Sequence, residues 1–244
     1  MNLYTMAHDF WREGFLVLDD FFDIELMDRV DERILEHFAG EPEFQHEPEF
    51  LERSDTDVIP WFPQRPDEAG YSPHRAAPFD ELGLDERLSG LTEALLGPGW
   101  RSLYCMVMFS MQGTNGQAWH QDCPPEDPAR HNLNRLVYTR DLSPETGGQT
   151  VVIPGSHRKG EIPLGDPNEE LDGQVVLSPR AGSLVFIHGH TWHRVLPVTG
   201  PYRFSTNFRA CPTNTPDDVT DVCVYRNMRY QFSTSELVEE RNPI

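Results

Sequence analysis

The chain has 244 residues, enough for one domain with a sizeable core. Its 20 basic residues against 40 acidic ones leave a formal charge of −20, which repels nucleic acid and anionic membrane surfaces, so neither is expected as a partner. Residues 1–15 include Asp9, Arg12 and Glu13 and no continuous apolar run. They read as neither a signal peptide nor a membrane span, and a cytoplasmic protein is expected. The 21 prolines and 18 glycines are spread along the chain, which suits a loop-rich globular protein, and no repeat or linker divides residues 1–244 into more than one domain. Cys105, Cys123, Cys211 and Cys223 show no C-x-x-C spacing, so reduced thiols are expected rather than a zinc site.

In chain order, residues 14–20 read as a short strand. Asp23 then caps a helix whose apolar positions Met27, Val30, Ile34 and Phe38 make one buried stripe. Residues 40–78 are proline-rich, acidic and aromatic without sustained periodicity, and a segment of this kind in a compact domain is read as a lid over the substrate. A second helix places Leu84, Leu88, Leu91 and Leu95 on one face and stops at Gly97-Pro98. The pattern then changes to short segments rich in β-branched and aromatic residues, at 101–112, 133–142, 149–154, 174–178, 183–188, 193–196 and 202–209. The fold class expected is mainly β with flanking helices, a jelly roll.

Within this frame, Trp119-His120-Gln121-Asp122 sets a histidine and a carboxylate two apart, so on extended backbone both project from one face and can grip one ion. Such a triplet also arises by chance. More weight comes from His188, His190 and His193 beyond the strand Gly182 to Phe186, and from Arg203 and Ser205 after them. Two imidazoles and one carboxylate on one side of an octahedral ion suit oxygen-activating Fe(II), with positions left for a 2-oxo acid and O2. Arg203 offers a fork for the far carboxylate of that acid, and Ser205, on the same strand face, adds a hydroxyl. Of the three later histidines we choose His193. Its run continues through Pro197 to Pro201 and returns as Tyr202 to Ser205, and an antiparallel hairpin there would set it across from Ser205 and diagonal to Arg203. Gly189 suggests a bend that leaves His188 and His190 at its rim.

The sequence resembles the phytanoyl-CoA dioxygenase family, which includes the ectoine hydroxylases. The resemblance rests on Arg12 to Leu18, Trp119 to Asp122, the run Gly147 to His157 with its Pro-Gly-Ser-His turn, and Gly182 to Phe186 followed by His193 and Arg203. It implies a double-stranded β-helix of the cupin type, iron on His120, Asp122 and His193, and 2-oxoglutarate on Arg203. Some members place a lysine on the co-substrate upstream of the H-x-D; here Lys159 lies beyond it, and Tyr104 or Gln117 are the candidates for that contact. Thr150, Arg135 and Tyr138 sit on strands that line or flank the cavity, and alternation alone does not fix their direction. Ser156 and His157 are read as turn-stabilising, and Trp119 and Trp192 as packing groups that orient the neighbouring histidines.

The resemblance implies hydroxylation of a small-molecule metabolite, with Fe(II), 2-oxoglutarate and O2 consumed to give succinate and CO2. Desaturation, cyclisation and epimerisation start from the same chemistry. Chlorination is disfavoured because Asp122 holds the position a halogenase of this type leaves to chloride. The rival readings are a cupin-like metal-binding sensor and an oxygen-independent metalloenzyme on the same fold. Neither requires a cation such as Arg203 aimed at a second carboxylate.

Overall fold

The computed structural model describes residues 2–39, 56–61, 77–112, 116–162, 169–216, 219, 221–224, 228–231 and 239–241. Helices α1 (Leu3–Glu13), α2 (Ile24–Ala39), α3 (Ala77–Gly83) and α4 (Glu86–Leu96) lie in the first part of the chain. Strand β1 (Phe15–Leu18) follows α1, β2 (Thr56–Trp61) precedes α3, and the remaining strands come after α4. These are β3 (Arg101–Met111), β4 (Gln117–Gln121), β5 (Leu133–Val137), β6 (Thr150–Val152), β7 (Val175–Val176), β8 (Leu184–His188), β9 (His193–Val195), β10 (Tyr202–Cys211), β11 (Asp221–Val224), β12 (Met228–Gln231) and β13 (Glu239–Arg241). They form a six-stranded sheet in the order β1-β8-β5-β10-β3-β2 and a seven-stranded sheet in the order β13-β12-β11-β4-β9-β6-β7, with antiparallel pairing. This is the jelly roll expected from the strand spacing, and the double-stranded β-helix that the resemblance implies.

Strand alternation divides the six-stranded sheet between two cores. Leu16, Leu18, Leu133, Val137, Leu184, Phe186 and Phe208 face outward and pack with Phe10, Met27, Ile34, Phe79 and Leu88 of the helices. Their neighbours Leu136, Val185 and Ile187 turn inward to meet Val152 and Leu177 of the second sheet side. A one-residue slip in any of these strands would exchange the two faces, so burial on both sides pins the register. The inner face of β10 therefore carries Arg203, Ser205, Asn207 and Arg209, which are all buried.

Three expectations change at the level of elements. Leu84 lies outside the helix predicted for it and is 74% exposed, because the chain breaks between α3 and α4 and Asp85 caps α4 by accepting from the Arg87 and Leu88 amides. Helix α1 was not predicted; it starts on Asn2, whose side chain accepts from Thr5 N–H, and ends on Gly14 at φ 82°. The expected hairpin between residues 193–196 and 202–205 does not form: β9 pairs with β4 and β6, while β10 pairs with β3 and β5. The Pro197–Pro201 turn instead carries the chain from one sheet to the other. The lid read into residues 40–78, and Phe38 in the predicted stripe, lie outside the described residues and side chains, apart from β2 at the sheet edge and the start of α3. Among the described residues no helix is long and apolar enough to cross a membrane.

Candidate metal centre

His120 sits near the end of β4 and His193 opens β9, where the two are direct cross-strand partners with ring centroids 4.1 Å apart. The β4–β9 register slips between Gln117 and His120, a bulge of the kind that re-aims side chains beside functional sites. Within that bulge the Ala118 carbonyl accepts from His120 Nδ1 at 2.7 Å, and just before β9 the Thr191 carbonyl accepts from His193 Nδ1 at 2.8 Å. Both bonds place a ring proton on Nδ1 and turn Nε2 toward the Asp122 carboxylate, the orientation in which Nε2 can ligate an ion.

Asp122 follows β4, and its backbone is tied at both ends. Its N–H donates to the Gly189 carbonyl at 2.7 Å, and its carbonyl accepts from Asn132 Nδ2 at 2.6 Å. Gly189 is required here because a Cβ would stand 2.5 Å from Asn132 Oδ1 and 2.7 Å from Cys123 Sγ. The Asp122 carboxylate then faces both histidines, with Oδ1 3.8 Å from His120 Nε2 and Oδ2 3.2 Å from His193 Nε2. All three side chains are buried and their ligand atoms lie within 4.8 Å of one another.

Burial, reinforced by the facing His193, pushes the His120 imidazole down to about 4, so it is neutral at physiological pH. Burial alone would raise the Asp122 carboxyl, but the Arg209 guanidinium and the facing His193 outweigh it and hold the group well below the usual carboxylate range. Nε2 of both imidazoles and the Asp122 carboxylate thus converge in one buried site. A cation among the three would satisfy all of them, and the N, N, O composition suits a divalent transition metal.

Arg203 is buried on β10, with Nε donating to the Gly148 carbonyl at 3.0 Å. Gly148 has φ 67°, and a Cβ on it would meet Arg203 Cγ at 2.7 Å, so this glycine provides the room in which the guanidinium lies. Tyr138 stands beside Arg203, and its hydroxyl meets Thr150 Oγ1 at 3.1 Å. Burial lowers the Arg203 pKa, partly countered by Tyr138. Ser205, two residues along the same face, has a buried Oγ with no hydrogen-bond partner among the described residues. An unmade bond of that kind costs about 1–3 kcal/mol, which a polar ligand beside Arg203 would recover.

The other candidates fall as follows. Thr150 supports Tyr138. Gln117 is half-buried on β4 opposite Val195, and Tyr104 stands on β3 opposite Arg209, its side chain outside the described set. Arg135 points away from the cavity to the Phe208 carbonyl (2.6 Å) and to Thr92 on α4 (3.2 Å). Ser156 serves the turn, accepting from Trp192 N–H and donating to the Ile153 carbonyl, while Trp119 and Trp192 are packing groups with Val151, Ile153 and Ile162. Lys159 lies over the Trp192 ring. His188 and His190 are not at an open rim; they are buried with His131 and His157 in a separate cluster against Trp11. Not foreseen were Asn134 and Arg209, which bond Asp122 Oδ2 at 2.6 and 3.0 Å.

Residues 10–203 match the family described as phytanoyl-CoA dioxygenase. The chain belongs to the phytanoyl-CoA dioxygenase family. The dioxygenase hkm4 of Aspergillus hancockii is a relative at 24% identity over 202 residues, covering 78% of this chain and 64% of that protein, so the chain spans less than two thirds of its length. Similar solved structures include the epimerase SnoN with Fe3+, alpha-ketoglutarate and nogalamycin RO (TM-score 0.66, 20% identity, 86% of this chain and 83% of that one). HygX from Streptomyces hygroscopicus with nickel and 2-oxoglutarate gives TM-score 0.67 at 18% identity, over 86% and 87% of the two chains. A Pseudomonas putida prolyl-4-hydroxylase gives TM-score 0.61 at 19% identity, over 86% and 98%. At these identities the structural likeness speaks for the fold.

Proposed function

We propose that this family member is a non-haem iron dioxygenase that couples oxidation of 2-oxoglutarate to hydroxylation of a small-molecule substrate. The observation that carries the reading is the pairing of two sites inside one barrel. His120, Asp122 and His193 offer three ligand atoms suited to a cation, and buried Arg203 and Ser205, whose Oγ has no partner among the described residues, offer a carboxylate anchor. A sensor or an oxygen-independent enzyme has use for the first and none for the second. The ligands bound by SnoN and HygX, a metal with an alpha-keto acid, support the same division of labour, and the nogalamycin compound held by SnoN supports a small organic substrate.

Bound iron would supply the activation of O2, and the chain's own residues set the conditions for it. The Nδ1–H bonds to Ala118 and Thr191 fix both rings with Nε2 inward. Arg203, braced by Gly148 and Tyr138, would bind the distal carboxylate of 2-oxoglutarate, and Ser205 would add a hydrogen bond to it. The test is to incubate protein with Fe(II), 2-oxoglutarate, O2 and panels of small metabolites and to measure succinate and hydroxylated product. Succinate that rises with one substrate and vanishes in Asp122→Ala supports the proposal. Tight iron binding with no affinity for 2-oxoglutarate would favour the sensor.

A further inference from the structure

We propose that Arg209 is a positioning residue of the metal centre: with Asn134 it occupies Oδ2 of Asp122, so that the ion is taken through Oδ1 alone, and by cancelling the carboxylate's charge it makes retention of the ion depend on the dianionic co-substrate. The inference rests on the metal reading above. Oδ2 receives Asn134 Nδ2 at 2.6 Å and Arg209 at 3.0 Å, and faces His193 Nε2 at 3.2 Å. Two donors use both in-plane lone pairs of that oxygen. On Oδ1 the nearest described partner is His120 Nε2 at 3.8 Å, a lone pair rather than a donor. The free oxygen is thus the one that remains for a cation.

The clamp is built into the strand. Alternation along β10 sends Arg209 to the same inner face as Arg203, Ser205 and Asn207, and the β10–β3 register slips only after it, between Arg209 and Ala210. Next to it the β5–β10 ladder is held by side chains: Arg135 N–H donates to Asn207 Oδ1 at 3.2 Å, and Arg135 Nε donates to the Phe208 carbonyl at 2.6 Å. Asn134 Oδ1 then gathers Asn207 Nδ2 at 2.7 Å and Arg209 Nε at 2.9 Å, while its own amide faces Asp122. Each member of the group is buried, so the carboxylate has no route to rotate into a two-oxygen grip without breaking several of these bonds.

Asp122 and Arg209 together are neutral, and an imidazole that ligates an ion through Nε2 adds no charge, so a divalent ion in this site keeps its full charge until an anionic ligand arrives. A 2-oxo diacid supplies that anion. Ion and co-substrate should therefore bind with positive coupling, each tightening the other by the same factor. Removing the Arg209 charge restores one negative charge to the site and reduces the need for the second ligand.

Co(II) serves as the probe, read by its visible d–d spectrum and by calorimetric affinity with and without 2-oxoglutarate. Arg209→Lys and Asn134→Ala leave the charge unchanged and loosen the clamp; both should alter the Co(II) spectrum and weaken its affinity about tenfold, with loss of a supporting contact to a metal ligand as the guide. Arg209→Gln should reduce the coupling between Co(II) and 2-oxoglutarate at least fivefold relative to the unaltered chain. Asn134→Ala reaches the same oxygen from β5 without altering β10, so the spectral test stands even if the Arg209 variants do not fold. Unchanged spectra in folded Arg209→Lys and Asn134→Ala, or undiminished coupling in folded Arg209→Gln, overturn the inference. Absence of Co(II) or 2-oxoglutarate binding in the unaltered protein overturns the dioxygenase reading itself.

Discussion

Gly148→Ala should disable the co-substrate anchor without touching a charged group. The added Cβ would lie 2.7 Å from Arg203 Cγ and 3.0 Å from its Cβ and Cδ, well inside the ~3.5–4.0 Å of ordinary carbon contacts. Gly148 also has φ 67°, where an L-residue costs about 1–2 kcal/mol, and overpacking at a buried contact costs about 1–3 kcal/mol. The combined ~2–5 kcal/mol lies below the stability of most domains, so a folded protein with a lowered melting temperature is expected. Relief comes from displacing Arg203, which breaks its 3.0 Å bond to the Gly148 carbonyl and moves the guanidinium off its site. Loss of a charge-assisted pair worth about 1.5–3 kcal/mol weakens 2-oxoglutarate by about tenfold to a hundredfold. Calorimetric titration of the Ni(II)-loaded variant measures it, with Ni(II) affinity as the control. Unchanged 2-oxoglutarate affinity in a variant whose melting temperature has fallen would remove Arg203 from the co-substrate site.

Three further outcomes are expected. His120→Ala and His193→Ala should each weaken Co(II) binding by ~100-fold or more, whereas His188→Ala should keep the metal; retained binding in His193→Ala would sink the triad. Burial and neighbouring histidines hold His120 and His131 down to about 4, so between the unfolded value near 6.5 and pH 4 the unfolded chain binds protons the folded one does not. Stability of the metal-free protein is therefore present at pH 8 and lost as the pH falls, by about 2 kcal/mol per such histidine at pH 5; equal denaturation midpoints at pH 8 and 5 would contradict this. Leu88→Ala should cost ~2–5 kcal/mol in a urea melt and Leu84→Ala under ~0.5 kcal/mol, because one is fully buried and the other 74% exposed; similar losses would argue for the single longer helix.

How much was legible in the sequence depended on whether the signal was local. Strand alternation such as Leu184-Val185-Phe186-Ile187 is a local pattern, and it maps directly onto the two cores that those residues enter. The H-x-D pair was readable for the same reason, since two residues on extended backbone share a face whatever the partner strand. Helix α1 escaped because it buries Phe10 fully and little else, so its stripe is short even though Asn2 and Gly14 mark its ends. The hairpin after His193 was misread because a proline-glycine turn looks the same whether the chain folds back on its own sheet or crosses to the opposite one. What decides is the choice of partners, His120 and Val152 for His193 and Met111 for Tyr202, and that choice is made by the whole barrel. Asn134 and Arg209 were invisible for a similar reason: their approach to Asp122 depends on the β5–β10 pairing, which sets both beside the end of β4. The buried cluster of His131, His157, His188 and His190 also forms through tertiary contact, with α1 supplying Trp11.

The most direct test of the account is an anaerobic titration of Fe(II)-loaded protein with 2-oxoglutarate, followed by visible absorption. The account predicts a weak charge-transfer band that saturates at one equivalent, is absent in Asp122→Ala, and in Arg203→Leu needs about tenfold or more 2-oxoglutarate to appear. Iron bound by His120, Asp122 and His193 with no band at any 2-oxoglutarate concentration would contradict it.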